Sequence, residues 1–184
     1  MRTFFLPTIL ILLLSSCSST RNLERNIKIR PIELNKNILT GLYENKIPDD
    51  SSNSLWNDLC LHLPEMKHAL SEGNKVFLEY KNDNKIIAEL YQDNELLDKM
   101  ILSGKPKKSY FLITKGSNYS TIILVSSSIS KKSIIGNDVH GDLLLSQNKS
   151  SNAMLLDKNL AKEQSEVTAT YMRLGNKRPV KISN

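Results

Sequence analysis

The sequence predicts a mainly β domain: an antiparallel meander closed into a barrel or bent into a strongly curved sheet, with a short helical cap. Three observations predict it. From Lys75 onward apolar and polar residues alternate with period two, as strands with one buried face require. Asn82-Asp83-Asn84 and Gln92-Asp93-Asn94 interrupt that alternation at hairpin spacing, and Asn and Asp tolerate the positive φ of tight turns. Helical spacing is confined to a short stretch near residues 54–72.

Taken in order, Ile38 to Glu44 reads as a first strand, with Gly41 at a bend or a crowded approach. Asn45 to Asn53, carrying Pro48, Asp49 and Asp50, reads as a loop. Ser54 stands at an N-cap position ahead of Leu55, Trp56, Leu59 and Leu63, which recur at helical spacing until Pro64 ends the segment. A further turn or two is expected from Pro64 to Gly73, proline suiting a helix entry and glycine its exit. Trp56, the single tryptophan, is the expected anchor of this cap.

Val76, Leu78 and Tyr80, then Ile86, Ala88 and Leu90, form alternating apolar rows on two strands, and Leu96 to Leu102 forms a third. Gly104 to Lys108 connects to Tyr110–Thr114, and Gly116-Ser117-Asn118 turns into Thr121–Val125. Further strands are expected at Ser133–Ile135, Leu143–Leu145, Met154–Leu156 and Val167–Met172, about eight or nine in all. Short strands separated by turn signals are the pattern of an up-and-down barrel or a sandwich.

The N-terminus carries a different signal. Arg2, the apolar run Phe4 to Leu13, and Leu14-Ser15-Ser16-Cys17 follow the order charge, apolar core, small residues, cysteine. This resembles a bacterial lipoprotein signal peptide with its lipobox. The resemblance implies cleavage before Cys17, with Cys17 lipidated, so that residues 1–16 are signal, 17–37 a lipidated tether, 38–172 one domain, and 173–184 a flexible basic tail. The apolar run is too short to span a bilayer, which takes about 20 residues. Ser18-Ser19-Thr20-Arg21 lacks the acidic residue of an inner-membrane retention signal and the acidic cluster of a surface-export signal in Bacteroidota. By that analogy the domain faces the periplasm from the outer membrane.

Gly41-Leu42-Tyr43 as an opening glycine-aromatic strand, Ser54-Leu55-Trp56 at a helix start, and the meander from Lys75 to Met172 together resemble the small calycin-type or lipocalin-like lipoproteins of Bacteroidota. Tyr43 stands where lipocalins have tryptophan, and the sequence marks no arginine near its end that matches theirs. The resemblance implies a β-barrel whose interior is filled by side chains or holds a small apolar ligand.

Composition narrows the function classes. The 184 residues carry 25 Lys and Arg against 19 Asp and Glu, a formal charge of +6. The excess is scattered: Lys105, Lys107 and Lys108 surround Pro106 in one turn, Lys131-Lys132 mark another, and Lys177, Arg178 and Lys181 lie near the C-terminus. A nucleic-acid reader would gather such charges with stacking aromatics, so no nucleic-acid partner is expected, and contact with anionic lipid heads is the alternative to plain solvation.

Catalytic constellations are sparse. With Cys17 lipidated, Cys60 is the remaining thiol, on an apolar face where it behaves as a small hydrophobe; His62, two residues on, points elsewhere on a helix. Asp138, His140 and Asp142 form the densest polar cluster. Leu143-Leu144-Leu145 replaces the late oxygen ligands of a calcium loop, and His62 and His68 lie far from it for a zinc site. A turn with Gly141 at positive φ is the simpler reading. Ser128-Ile129-Ser130-Lys131 matches Ser-x-x-Lys by letters without the partner motifs of a penicillin-binding fold. No catalytic residue, metal ligand or cofactor is assigned. The expected role is non-catalytic: a membrane-anchored periplasmic lipoprotein binding a small apolar ligand or lipid, or alternatively an interaction module for an envelope protein, as an assembly factor, inhibitor or immunity-type lipoprotein.

Overall fold

The computed structural model describes residues 23–25, 27, 30–47, 50–60, 73–114, 118–122, 125–155 and 158–180. Cys17, His62, His68 and the second part of the expected helical cap lie outside the described residues.

Among the described residues, a helical stretch at 23–25 and two short helices, α1 (Lys36–Leu39) and α2 (Leu55–Cys60), accompany twelve strands: β1 (Gly41–Glu44), β2 (Lys46–Ile47), β3 (Asp50–Ser54), β4 (Lys75–Asn82), β5 (Lys85–Gln92), β6 (Glu95–Pro106), β7 (Phe111–Thr114), β8 (Asn118–Ile122), β9 (Val125–Asn137), β10 (Leu143–Leu155), β11 (Lys158–Tyr171) and β12 (Arg173–Gly175). Ten of them share one sheet, antiparallel throughout, in the order β11-β10-β9-β7-β6-β5-β4-β1-β12, with β8 paired to β9 off that path; β2 and β3 form a separate hairpin. The mainly β, antiparallel meander is therefore present.

The sheet is not closed into a barrel. Its pairing path ends at β11 on one side and β12 on the other, and the last strand changes partner between them. The ladder with β10 stops at Leu143↔Tyr171, and the ladder with β1 begins at Tyr43↔Arg173. Only Met172 separates the two, and its carbonyl accepts from the Glu44 amide at 2.9 Å.

Alternation does what the sequence analysis expects of it in β4 and β5. Val76, Leu78, Tyr80, Ile86, Ala88 and Leu90 all lie in one buried cluster with Met100, Leu102, Phe111, Ile113, Ile135, Leu143, Leu145 and Tyr171. The turns fall at Asp83-Asn84 and Asp93-Asn94, with Asp93 at φ 55°. Tyr80 meets Phe111 edge-on, with centroids 5.7 Å apart.

Several boundaries differ from the sequence reading. The stretch taken as a first strand is split: Lys36–Leu39 is a helical turn whose start is capped by the Asn35 side chain accepting from the Asn37 amide at 2.9 Å, and the strand begins at Gly41. The Asn45–Asn53 loop contains β2 and the first residues of β3. Lys131-Lys132 sits within β9 rather than in a turn, and Leu143 and Met154 belong to one strand, β10. The polar sequence between them, rich in Ser and Asn, lacks an apolar face to announce a strand; it is held extended by pairing on both sides, unbroken from Leu143↔Asn137 to Leu155↔Val125 with β9 and shifted once, between Ala153 and Met154, along β11.

Both presumed flexible ends are partly docked. Leu23 and Ile27 are buried with Tyr110, Ile134 and Leu144, while the Ile32 and Leu34 amides donate to the carbonyls of Asn137 and Lys108, both at 2.9 Å. The tether reading of residues 17–37 therefore does not extend to these residues. Residues 173–175 of the expected tail form β12. Beyond it, Arg178 is pinned to the sheet's outer face by Glu79 and Glu89, both at 2.8 Å, with its guanidinium 5.2 Å from the Phe77 ring centroid.

Candidate functional site

Two polar constellations sit at opposite ends of β1. The first gathers around Tyr43 and Arg173. Gly41 opens β1 at a crowded approach: a Cβ there would stand 3.0 Å from Cζ and Nη2 of Arg173 and 3.0 Å from the Gly175 carbonyl oxygen. The absence of that carbon lets the guanidinium pass to the end of α1. There Nη2 donates to the Thr40 carbonyl at 2.8 Å, Nη1 donates to the Ile38 carbonyl, and the group lies 5.6 Å from the Tyr43 ring centroid. The Tyr43 hydroxyl donates toward the Ile38 and Leu39 carbonyls at 3.1 and 3.0 Å and accepts from Asn137 Nδ2 at 3.1 Å. Burial pushes the Tyr43 hydroxyl up to about 12.

The Asn137–Asp142 segment, the densest polar cluster of the sequence, is the turn between β9 and β10, with Gly141 at φ 89°. Its polar atoms are used internally. Asp138 is buried and its Oδ1 accepts from the amides of His140 and Asp142, both at 2.9 Å. Asp142 Oδ1 accepts from the Arg173 amide at 2.8 Å, and Asn137 Nδ2 also donates to the Gly141 carbonyl at 2.9 Å. His140 is exposed. Among the described residues, no three His, Cys, Asp or Glu side chains converge as a metal site would need. The cluster is a joint that ties the β9–β10 turn to the last strand.

The second constellation lies under α2. Ser54 caps this helix as expected, its Oγ accepting from the Asn57 amide at 3.1 Å. Asn45 is a second cap that the sequence reading left in a loop: its carbonyl accepts from the Leu55 amide at 2.8 Å, its Oδ1 from the Trp56 amide at 2.8 Å, and its Nδ2 donates to the Gly73 carbonyl at 2.7 Å. The helix thus fixed buries Leu55, Trp56, Leu59 and Cys60 in the main core, with Trp56 0 % exposed.

On the same helix, the buried Asp58 accepts from the Tyr171 hydroxyl at 2.6 Å, and its carbonyl accepts from Gln147 Nε2 at 2.8 Å. Burial raises the Asp58 carboxyl above the usual range, and the tyrosine bond opposes this only in part. A nucleophile is not part of the arrangement. Burial pushes the Cys60 thiol up to about 12, with the Asp98 charge adding to the shift, so at neutral pH it is protonated. Ser128-Ile129-Ser130-Lys131 falls along β9.

Among the described residues the core is filled. Leu55, Trp56, Val76, Leu78, Ile86, Ala88, Leu90, Phe111, Ile135, Leu143 and Leu145 each have no surface reachable by water, internal voids included. A site with room for an apolar ligand would leave such surface on its lining. Among the described residues, open clefts lie at the surface. One open cleft of about 490 Å³ runs between the end of β1 and the start of β4, lined by Glu44, Lys46, Asn74, Lys75 and Gln92 with the apolar Leu174. On the outer face of β5 and β6, Ile87 pairs with Ile101, which is 53 % exposed, and Leu96 and Leu97 are exposed beside them.

No protein-family model, curated protein or solved structure matches the chain.

Proposed function

We propose that this chain is a lipid-anchored envelope protein, attached through Cys17, whose β domain serves as a non-catalytic interaction module for another envelope protein. The observation that carries this reading is the filled interior. Of the two roles that the sequence leaves open, a small apolar ligand held inside needs a cavity, whereas docking of a protein needs only surface. The described core has no water-reachable space along its lining, and this favours the second role.

Two surface features support it further. Among the described residues, strand β8 pairs on one side only, with β9, and along Lys158–Glu166 the β11 ladder runs only to β10. Such edges offer rows of backbone donors and acceptors that an extended segment of a partner can complete. Apolar side chains at Leu96, Leu97 and Ile101 add exposed contact area.

The lipocalin-like reading also gains a supporting contact. The family pairs its glycine-aromatic opening with an arginine near the end of the chain, and Arg173 lies over Tyr43 in that relation. On this reading the sheet curls around its core like a barrel, with the two ends of the pairing path meeting at Met172. Side chains fill the space that a lipocalin ligand would take.

The test combines native mass spectrometry after organic extraction with crosslinking in intact envelopes. A specific crosslinked protein partner, with no stoichiometric small molecule released, is the expected result; a stoichiometric apolar molecule would replace this proposal with the ligand-binding one. Membrane attachment is checked by Cys17→Ser. The substitution is expected to release the protein from the membrane fraction, and retention there would refute the anchor.

A further inference from the structure

We infer that the cleft between Arg30 and the Lys107-Lys108 turn holds the phosphate of an anionic lipid headgroup in the leaflet that carries the anchor. The inference rests on the proposed lipidation of Cys17. It begins with chain length. Leu23 is fully buried against Tyr110, Ile134 and Leu144, so the chain is fixed to the domain six residues after Cys17. Six residues span at most about 22 Å even when fully extended. A domain pinned there cannot stand far off the bilayer, and the outer face of β7, β9 and β10 is the part nearest to the anchor.

That neighbourhood is cationic and concave. A cleft of about 550 Å³ is lined by Glu24, Arg30, Pro31, Lys107, Lys108, Ser109 and Tyr110, three cations against one carboxylate. Arg30, Lys107 and Lys108 are exposed, and none forms an ion pair among the described residues. The one carboxylate, Glu24, is engaged by the Tyr110 hydroxyl. Lys105 lies on the same outer face, paired in register with Leu112 of the cluster that seats the N-terminal segment.

The backbone of the turn is held in place. The Lys107 amide donates to the Tyr110 carbonyl at 2.8 Å, and the Leu34 amide donates to the Lys108 carbonyl at 2.9 Å. Two unpaired lysines on a fixed turn, with Arg30 of the N-terminal segment lining the same cleft and all three kept within reach of a membrane surface by a short covalent link, match the charge of phosphate-bearing headgroups. The cleft's volume lies within the range of small-molecule sites.

The test uses the full acylated protein, purified from membranes. Its mass reports first whether Cys17 carries a diacylglyceryl group; an unmodified Cys17 would remove the anchor reading on its own. The protein is then reconstituted into vesicles of phosphatidylcholine alone, or of phosphatidylcholine mixed with phosphatidylglycerol. Hydrogen exchange across Lys107–Tyr110 is expected to slow severalfold on the mixed vesicles. The triple variant Arg30→Gln, Lys107→Gln, Lys108→Gln is expected to lose that difference while remaining acylated and membrane-bound. Equal exchange on both vesicle types, or a difference that persists in the variant, would overturn the inference with the anchor intact. Equal slowing by inorganic phosphate on pure phosphatidylcholine would overturn it in favour of a free-anion site.

Discussion

Replacing Arg173 with alanine tests whether the clasp at the end of β1 holds the last strand to the first. The guanidinium makes charge-assisted bonds to two backbone carbonyls, Thr40 at 2.8 Å and Ile38, and lies over the Tyr43 ring at 5.6 Å. Hydrogen bonds to a charged group contribute about 1.5–3 kcal/mol each. The lower figure applies here because Arg173 is partly exposed, and because the Tyr43 hydroxyl remains as a partner for the Ile38 carbonyl. At that figure for each of the two carbonyl bonds, the expected loss is about 3 kcal/mol. In urea, with a slope of about 2 kcal/mol/M, the unfolding midpoint falls by about 1.5 M. Arg173→Lys is expected to recover less than half, since a single ammonium cannot reach two carbonyls in a fixed fork. Gly41→Ala provides the internal control. Its new Cβ meets the guanidinium at 3.0 Å, so its cost is expected to shrink when combined with Arg173→Ala. An Arg173→Ala midpoint within experimental error of the parent, or costs that simply add, would refute the clasp.

Trp56→Ala removes a fully buried indole from beneath α2 and is expected to destabilise by about 3–5 kcal/mol, read from urea unfolding; an unchanged curve would mean that α2 contributes nothing to the core. Asp58 bears on pH dependence. Its folded-state carboxyl is raised above the ordinary value of 3.8, so the folded protein binds this proton more tightly than the unfolded chain does. That stabilisation is whole below pH 3.8 and is lost as pH rises through the raised value. Asp58→Asn is therefore expected to raise the melting temperature at pH 7 and to lose that advantage at pH 3; the opposite order would show that the Tyr171 bond outweighs burial. Cys60, with its thiol pushed up to about 12, is expected to resist alkylation at pH 8 until denaturant is added, and rapid labelling of the folded protein would place it at the surface.

The parts of this fold that were legible in the sequence are those whose cause is local. Alternation in Lys75–Gln92 encodes one buried face regardless of what packs on it, and Asp83-Asn84 and Asp93-Asn94 encode turns by their own backbone preferences. Ser54 announces a helix start three residues ahead of the amide it caps. The same locality explains what was read amiss. The middle of β10 is polar on both faces, and it is a strand only because β9 and β11 hold it on either side. Lys36–Leu39 has the apolar content of a strand, but its start is capped by Asn35, and Arg173, more than 130 residues away, binds the carbonyls of Ile38 and Thr40.

The candidate site follows the same division: the turn with Gly141 at positive φ was legible because its cause is local, whereas the contacts that join it to distant strands were not. Asp138, His140 and Asp142 drew notice because polar residues cluster there in sequence. Once folded, their carboxylates serve the amides of their own turn and of Arg173, leaving no convergent ligand set. The residues that join distant parts of the chain, Asn45, Asp58 and Arg173, carry no local pattern that marks them. Asn45 looks like any loop asparagine, yet it caps α2 and reaches the Gly73 carbonyl on the far side of that connection. Asp58 resembles an exposed helix acid until Tyr171 and Gln147 enclose it. The docked N-terminal segment has the same origin. Leu23 and Ile27 stand alone among polar neighbours, and only the assembled face of Tyr110, Ile134 and Leu144 gives them somewhere to be buried. With Cys17 lipidated as proposed, that burial would put six residues, in place of a twenty-residue spacer, between the anchor and the docked chain. On that proposal, the orientation of the domain at a membrane would follow from packing on the outer face of the sheet and not from the length of the polar leader.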